Sequence, residues 1–144
     1  DKNKTFIDIG SWIGPISLIA SRWSKNCICF EPDHLAYSEF IDNIELNKIE
    51  NIFLENKAVS IHKNISIGAA TLGESITRDS CLENLINCEC ISISEILDNY
   101  NLKEQDISVI KIDVEGFEIV AGSVLLVSAG FEEPKIAEIN FLII

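Results

Sequence analysis

The sequence predicts an α/β domain with a mostly parallel sheet and helices on both faces. Short apolar runs that suit strands buried on both sides alternate along the chain with segments of helical periodicity. A glycine-containing turn separates the first run from the first helix, and an acidic residue stands at the end of several runs. Strands that alternate with helices are joined by right-handed crossovers, which build a parallel sheet.

The first elements are a strand, a turn and a helix. Residues 5–9 form an apolar run that predicts a buried strand, and residues 10–14 form the turn. Pro15 suits the first turn of a helix, and the apolar stripe that follows it predicts a helix ending near Ser24.

The pattern then repeats along the rest of the chain. "CICF" is a second strand that ends at Glu31, "AYSEFIDNIELNKI" has helical spacing, and "NIFLENKAVS" contains a third strand. Residues 61–90 have no sustained period, and we interpret them as a hairpin or a lid. Beyond them we expect a helix capped by Ser94, the strand "SVIKIDVEG", a helix over 117–130 and a last strand within 134–144.

Composition limits the classes of protein. A chain of 144 residues fits one domain, residues 1–144, and its formal net charge of −12 disfavours nucleic acid as a partner. No apolar run reaches the roughly 18 residues of a membrane span. Five cysteines and no secretory leader favour reduced thiols and a cytoplasmic location, and the lack of methionine indicates a fragment of a longer chain.

The predicted strand ends carry acidic residues where ligands bind in such sheets. They are Asp8, Glu31 and Asp113. Glu31 follows the turn at the interval at which a carboxylate reaches the ribose of a bound nucleoside. The turn lacks the full G-x-G-x-x-G of dinucleotide sites, and a pyrophosphate beside Asp8 would be repelled, so a cationic cofactor such as S-adenosylmethionine fits better. Alternatively, Asp8 only accepts backbone hydrogen bonds in its own turn.

Three motifs, "FIDIGSWIG", "CICFEPD" and "VIKIDVEGFEIVAGS", occur in this order and resemble those of the FkbM-type methyltransferases. The resemblance implies a Rossmann-like class I methyltransferase fold with a seven-stranded sheet. It also implies S-adenosylmethionine as cofactor and transfer of methyl to a hydroxyl on a sugar, glycan or small metabolite. Since the chain stops after the fifth predicted strand, we expect the fold to be truncated at its C-terminus.

The resemblance also implies roles for individual residues. It places Asp8, Gly10 and Gly14 at the methionine end of the cofactor and Glu31 at the ribose. The candidates to surround the adenine are Asn56, Ala58 and Val59. Asp113, Glu115 and Glu118 match the acidic run of the family. We take Asp113 and Glu115 as catalytic candidates, since either can accept the hydroxyl proton or hold a metal ion that acidifies the hydroxyl. Trp12 stands where the family usually has a small or amide residue.

Other functions remain open at this point. A nucleotide (NAD)-dependent oxidoreductase uses the same strand, loop and ribose acid, and a non-catalytic nucleotide-binding module shares the fold. The C-x-C pairs Cys27 with Cys29 and Cys88 with Cys90 do not have the spacing of structural zinc sites, so we predict no metal. No Ser or Cys partner supports a hydrolase triad for His34 or His62.

Overall fold

The chain is described by a computed structural model over residues 1–60, 63–68, 85–113 and 140–143. The described strands are β1 Thr5–Ile9, β2 Asn26–Phe30, β3 Ile52–Glu55, β4 Ala58–Val59, β5 Asn64–Gly68, β6 Leu85–Ile91, β7 Ile107–Ile112 and β8 Asn140–Ile143. The described helices are α1 Pro15–Ala20, α2 His34–Asn47 and α3 Ile93–Asn99, with a short 3-10 helix at Glu104–Asp106.

Five strands form the main sheet in the order β3-β2-β1-β7-β8, and every pairing among them is parallel. The strand β1 lies near the middle and is buried along its whole length, which explains its uninterrupted apolar character. The predicted parallel sheet is confirmed. Because β1 is central, the ends of β2 and β7 lie on either side of the turn that follows β1.

Helices cover both faces of the sheet, as predicted. On one face Phe6, Cys27 and Cys29 pack with Phe40 of α2 and with apolar residues of α1. On the other face the isoleucines of β1, β2 and β7 pack with Ile93 and Ile96 of α3. Successive side chains of a strand point to opposite faces, so each strand supplies both halves of the core.

The helix ends differ in detail from the sequence prediction. The helix α1 ends at Ala20, and the chain continues to Ser24 in turns instead of a regular helix. The predicted cap Ser94 is wrong, because Ser92 caps α3: its hydroxyl accepts from the N–H of Glu95, whose carboxylate accepts from the N–H of Ser92. This reciprocal arrangement satisfies two helix-end N–H groups, and Ser94 lies inside the helix.

A second sheet has the order β4-β6-β5. The strands β5 and β6 pair antiparallel, as in the hairpin predicted for this region, while residues 69–84 between them lie outside the described residues. The predicted helix over 117–130 also lies outside them, whereas β8 confirms the last strand. Within the part of the chain that the structure describes, every helix is too short or too polar to cross a bilayer.

Candidate functional site

The loop between β1 and α1, residues 10–14, uses left-handed backbone at alternating positions. Gly10, Trp12 and Gly14 have φ angles of 75°, 50° and 85°. Glycine adopts this region without a steric penalty, but a tryptophan does so only when its surroundings impose it. Glycine or asparagine would be tolerated better at position 12, since these residues adopt the left-handed region more readily.

Gly14 is required by close packing as well as by its φ angle. A Cβ atom added at Gly14 would lie 1.9 Å from Cε2 of Phe40, well inside van der Waals contact. The ring of Phe40 is fully buried in α2. The glycine therefore lets α2 approach the loop.

The loop N–H groups are largely used inside the protein. Those of Gly10 and Ser11 donate to the carbonyl of Phe30 at 3.0 and 3.1 Å, and that of Gly14 donates to the carbonyl of Ser11. The N–H of Trp12 donates to the carboxylate of Glu31 at 2.6 Å. These donors bind the loop to the end of β2.

Glu31 lies directly after β2 and is only 5% exposed. One carboxylate oxygen accepts from Trp12, and the other accepts from the N–H of Asp33 at 2.9 Å. Burial raises the pKa of Glu31, and these two backbone hydrogen bonds oppose the rise. Each oxygen has a second acceptor site, so the carboxylate can still bind two further donors.

Asp8 is fully buried, and its carboxylate points under α1 on the same face as Phe6. Its two oxygens accept from the hydroxyl of Ser17 at 2.5 Å and from Nζ of Lys111 at 2.8 Å. Burial raises the pKa of Asp8, and the ammonium of Lys111 opposes the rise. Side chains from α1 and β7 therefore bind this carboxylate, and its predicted place at the methionine end of a cofactor stays a prediction.

Lys111 is the residue of this edge that sequence reasoning missed. It lies opposite Asp8 in the pairing of β1 with β7 and is 3% exposed. Its Nζ also donates to the carbonyl of Gly10 at 2.7 Å. A single lysine inside the apolar run "SVIKI" is the signal that was available, because a lysine in a buried strand needs an acceptor.

Asp113 follows β7 and is the more accessible acid, with a side chain 37% exposed. Its N–H donates to the carbonyl of Ile9, and its Oδ2 lies 3.5 Å from Nζ of Lys111. The structure thus brings Asp8, Lys111 and Asp113 together beside the glycine loop. The other catalytic candidate, Glu115, lies outside the described residues, as does Glu118.

The residues predicted to surround an adenine occupy varied environments. The amide of Asn56 donates to the carbonyls of Glu31 and Pro32 at 2.8 and 3.2 Å, so it supports the loop that carries the ribose candidate. Ala58 is buried in the second sheet, and Val59 packs against the core on the α3 face. Their contact with an adenine stays a prediction.

The C-x-C pairs lie in two different sheets. The thiols of Cys27 and Cys29 are buried against α1, where Cys29 lies 3.1 Å from the hydroxyl of Ser17. Cys88 and Cys90 lie in β6. Burial raises the pKa of Cys27 to about 12, so this thiol is uncharged at neutral pH. His34 begins α2 on the exposed surface, as predicted.

Comparison with protein families matches residues 8–144 to the Methyltransferase FkbM domain. No curated protein matches the chain.

Two solved structures share the fold. An rRNA methylase from Streptococcus thermophilus has a TM-score of 0.54 and 14% identity, over 99% of this chain and 61% of its own. SMU.1697c from Streptococcus mutans, solved in complex with SAH, has a TM-score of 0.53 and 14% identity, over 99% of this chain and 63% of its own. The present chain thus spans less than two thirds of either, and the shared fold is that of the class I methyltransferases.

Proposed function

The chain belongs to the FkbM methyltransferase domain family, and from this premise we propose that it transfers a methyl group from S-adenosylmethionine to a hydroxyl oxygen of a sugar, glycan or other small metabolite. Members of this family use S-adenosylmethionine. The observation that carries the proposal for this chain is the carboxylate of Glu31, buried at the end of β2 and bound to the N–H of Trp12 in the glycine loop.

Glu31 fits the ribose of an adenosine cofactor. Trp12 and Asp33 each occupy one acceptor site on its carboxylate, which leaves one site on each oxygen for the two adjacent ribose hydroxyls. Two backbone hydrogen bonds hold the carboxylate in one orientation, so little side-chain entropy is lost when a ligand binds. The amide of Asn56 supports the same segment through the carbonyls of Glu31 and Pro32.

The charge of the site favours a cationic cofactor over a dinucleotide. A pyrophosphate needs free N–H groups at a glycine loop, but those of Gly10, Ser11, Trp12 and Gly14 already donate within the protein. Among the described residues of this edge, the carboxylates of Asp8, Glu31 and Asp113 outnumber the ammonium of Lys111. The NAD-dependent alternative is therefore not favoured.

The bound cofactor supplies a methyl carbon activated by its sulfonium, so the protein mainly has to orient the acceptor and remove a proton. Asp113 is the described acid with both an accessible carboxylate and a place at the loop edge, and we assign it the proton of the acceptor hydroxyl. Glu115, two residues further along, is the second candidate for this role.

The cofactor is tested first by titration calorimetry with S-adenosylmethionine, S-adenosylhomocysteine and NADH. We expect the wild type to bind the first two ligands with micromolar affinity. Glu31→Gln should lower that affinity at least about tenfold. Glu45→Gln, which removes an exposed carboxylate of α2, should leave the affinity unchanged. Binding of NADH in place of the adenosyl ligands would overturn the proposal.

The reaction is tested by transfer of labelled methyl from S-adenosylmethionine to a panel of sugars and hydroxylated metabolites. Asp113→Asn is expected to lower the rate about 100-fold without weakening S-adenosylhomocysteine binding. If cofactor binds, no acceptor is methylated, and Asp113→Asn and Glu115→Gln cost the parent chain none of its activity, a non-catalytic binding module is favoured instead.

A further inference from the structure

We infer that Lys111 is a positioning residue of the cofactor site, whose ammonium fixes the carbonyl of Gly10 and thereby the glycine loop. The inference rests on the proposed function, because it assigns this loop to the cofactor. It adds a residue that neither the strand-end carboxylates nor the glycine pattern indicates.

The ammonium of Lys111 is surrounded by oxygen atoms. Nζ donates to Oδ1 of Asp8 at 2.8 Å and to the carbonyl of Gly10 at 2.7 Å, and Oδ2 of Asp113 lies 3.5 Å away. An ammonium has three N–H donors, so each can point at one of these oxygens. One side chain thus links β1, the glycine loop and the end of β7.

Packing alone does not explain a lysine at this position. Its neighbours Ile110 and Ile112 are apolar and buried, and taking an ion pair out of water costs several kcal/mol per ion before the attraction is counted. Two well-packed apolar residues in place of Asp8 and Lys111 would fill the space without that cost. What apolar residues cannot supply is a donor for the carbonyl of Gly10.

The hydrogen bonds of Gly10 fix the position of the rest of the loop. The N–H of Gly10 donates to the carbonyl of Phe30 in β2, and the carbonyl of Gly10 accepts from Lys111 in β7, so both sides of this residue are fixed. Two residues later the N–H of Trp12 donates to Glu31. Loss of the Lys111 contact would therefore let the loop rotate and disturb the carboxylate proposed to bind the ribose.

The experiment separates this positioning role from simple neutralisation of Asp8. Four variants are compared with the wild type: Asp8→Asn, Lys111→Met, Asp8→Asn/Lys111→Met and the control Lys25→Met, which alters an exposed lysine. Each is tested for S-adenosylhomocysteine affinity by calorimetry and for its unfolding midpoint. A merely structural role would make affinity follow the midpoint.

We expect Lys111→Met to be strongly destabilised, because it leaves the buried Asp8 without a counter-charge. The double variant recovers most of the unfolding midpoint of the wild type. It still binds S-adenosylhomocysteine at least about tenfold more weakly than wild type, because the carbonyl of Gly10 has lost the ammonium that donates to it. Asp8→Asn retains Lys111 and its donor to Gly10, so we expect it to bind S-adenosylhomocysteine more tightly than the double variant does, and Lys25→Met is unchanged.

Wild-type affinity in the double variant would overturn the inference, since Lys111 would then only balance Asp8. A loss in Asp8→Asn as large as in the double variant would overturn it too, by showing that Asp8 itself is needed. Asp8→Asn/Lys111→Leu makes the same test if the Met pair does not fold. A wild type that binds no adenosyl ligand would overturn both this inference and the proposed function, whereas the other outcomes leave the proposed function standing.

Discussion

At the scale of single residues, the carboxyl groups at the strand ends share a chemistry but not an environment. Asp8 is fully buried beneath α1 and forms an ion pair with Lys111. Glu31 is buried, and each of its carboxylate oxygens can accept one more hydrogen bond, whereas Asp113 is partly exposed. The place of an acidic residue at the end of a strand predicts that it lies near a ligand. The surroundings of that residue decide whether its carboxyl group supports the loop, binds the ligand or exchanges a proton with the ligand.

The raised pKa of Glu31 predicts a pH dependence of ligand binding. Its ionised form is the better acceptor for ribose hydroxyls, so affinity is full above the pKa and falls as pH drops through it. Because burial raises the pKa above its ordinary value of 4.5, the loss begins at a higher pH than for an exposed glutamate. Calorimetric titration with S-adenosylhomocysteine between about pH 8 and pH 5 measures it.

Glu31→Gln is the control for this profile. It retains the titration of Asp8, whose pKa is also raised, and removes only that of Glu31. Profiles of the same slope in wild type and variant would contradict the assignment.

Trp12 should report ligand binding by its fluorescence. Its backbone N–H donates to Glu31 and the residue is 44% exposed, so a ligand on that carboxylate alters the water around the indole. We expect S-adenosylhomocysteine to shift the emission to shorter wavelength. The chain has two tryptophans, so Trp23→Phe should keep the signal and Trp12→Phe should lose it; the reverse pattern would show that the loop is remote from the ligand.

At the scale of elements, the glycine loop is fixed by its neighbours more than by its own sequence. The N–H groups of Gly10 and Ser11 donate to β2, and Lys111 of β7 donates to the carbonyl of Gly10. On the other side, the ring of Phe40 in α2 packs where a side chain at position 14 would stand. These contacts keep Trp12 in the left-handed backbone region, which costs a tryptophan about 1 kcal/mol. Without them the backbone of Trp12 would return to a region of negative φ.

Gly14→Ala should destabilise the protein by about 2 kcal/mol or more, because the added Cβ meets Phe40 and the backbone is left-handed. Urea unfolding of Gly14→Ala, Phe40→Ala and the double variant measures the coupling. Phe40→Ala alone should cost about 3–5 kcal/mol, and Gly14→Ala should cost less when Phe40 is absent. Strictly additive costs would show that the two residues do not meet.

The capping box of α3 makes a second prediction for an element. Ser92→Ala removes the hydroxyl that accepts from the N–H of Glu95 and should lower the free energy of unfolding by about 1 kcal/mol. Ser94→Ala is the matched control, since Ser94 is inside the helix and alanine favours helices. A larger loss in the Ser94 variant would restore the cap that the sequence predicted.

At the scale of the whole molecule, parallel sheet order and acidic charge act together. The order β3-β2-β1-β7-β8 gathers the ends of β1, β2 and β7 at one edge, which is where ligands bind in such sheets. The formal net charge of −12 over the whole chain favours cations over phosphates as ligands.

That charge also predicts how stability depends on salt. Raising sodium chloride from about 10 mM to about 300 mM at neutral pH should raise the unfolding midpoint by a few degrees, because screening weakens repulsion among the acids. The same comparison near the sequence pI of 4.4 should show a smaller shift, because net charge is then close to zero. A midpoint that falls with salt at neutral pH would show that ion pairs outweigh repulsion.

Much of the described fold was predictable because its signals are local. The strand β1, the glycine turn and the Pro15 start of α1 follow from apolar runs and turn chemistry that need no knowledge of neighbours. The placement of Glu31 after β2 was predictable for the same reason. The cap of α3 lies two residues before the predicted Ser94. Serine is a good cap at either position, but only Ser92 has a glutamate three residues later, and this S-x-x-E spacing with Glu95 is a local signal for the true cap.

The amino-acid sequence alone predicts the class of fold and the acids that end the strands, since these depend on spacing along the chain, and its motifs indicate the family by resemblance. Only the tertiary structure decided what those acids contact. Asp8 meets Lys111 across 103 positions of sequence because β7 is inserted beside β1 in one register, and Gly14 meets Phe40 because α2 packs over the loop. Strand order and packing arise from the whole chain at once, so no local pattern specifies such partners.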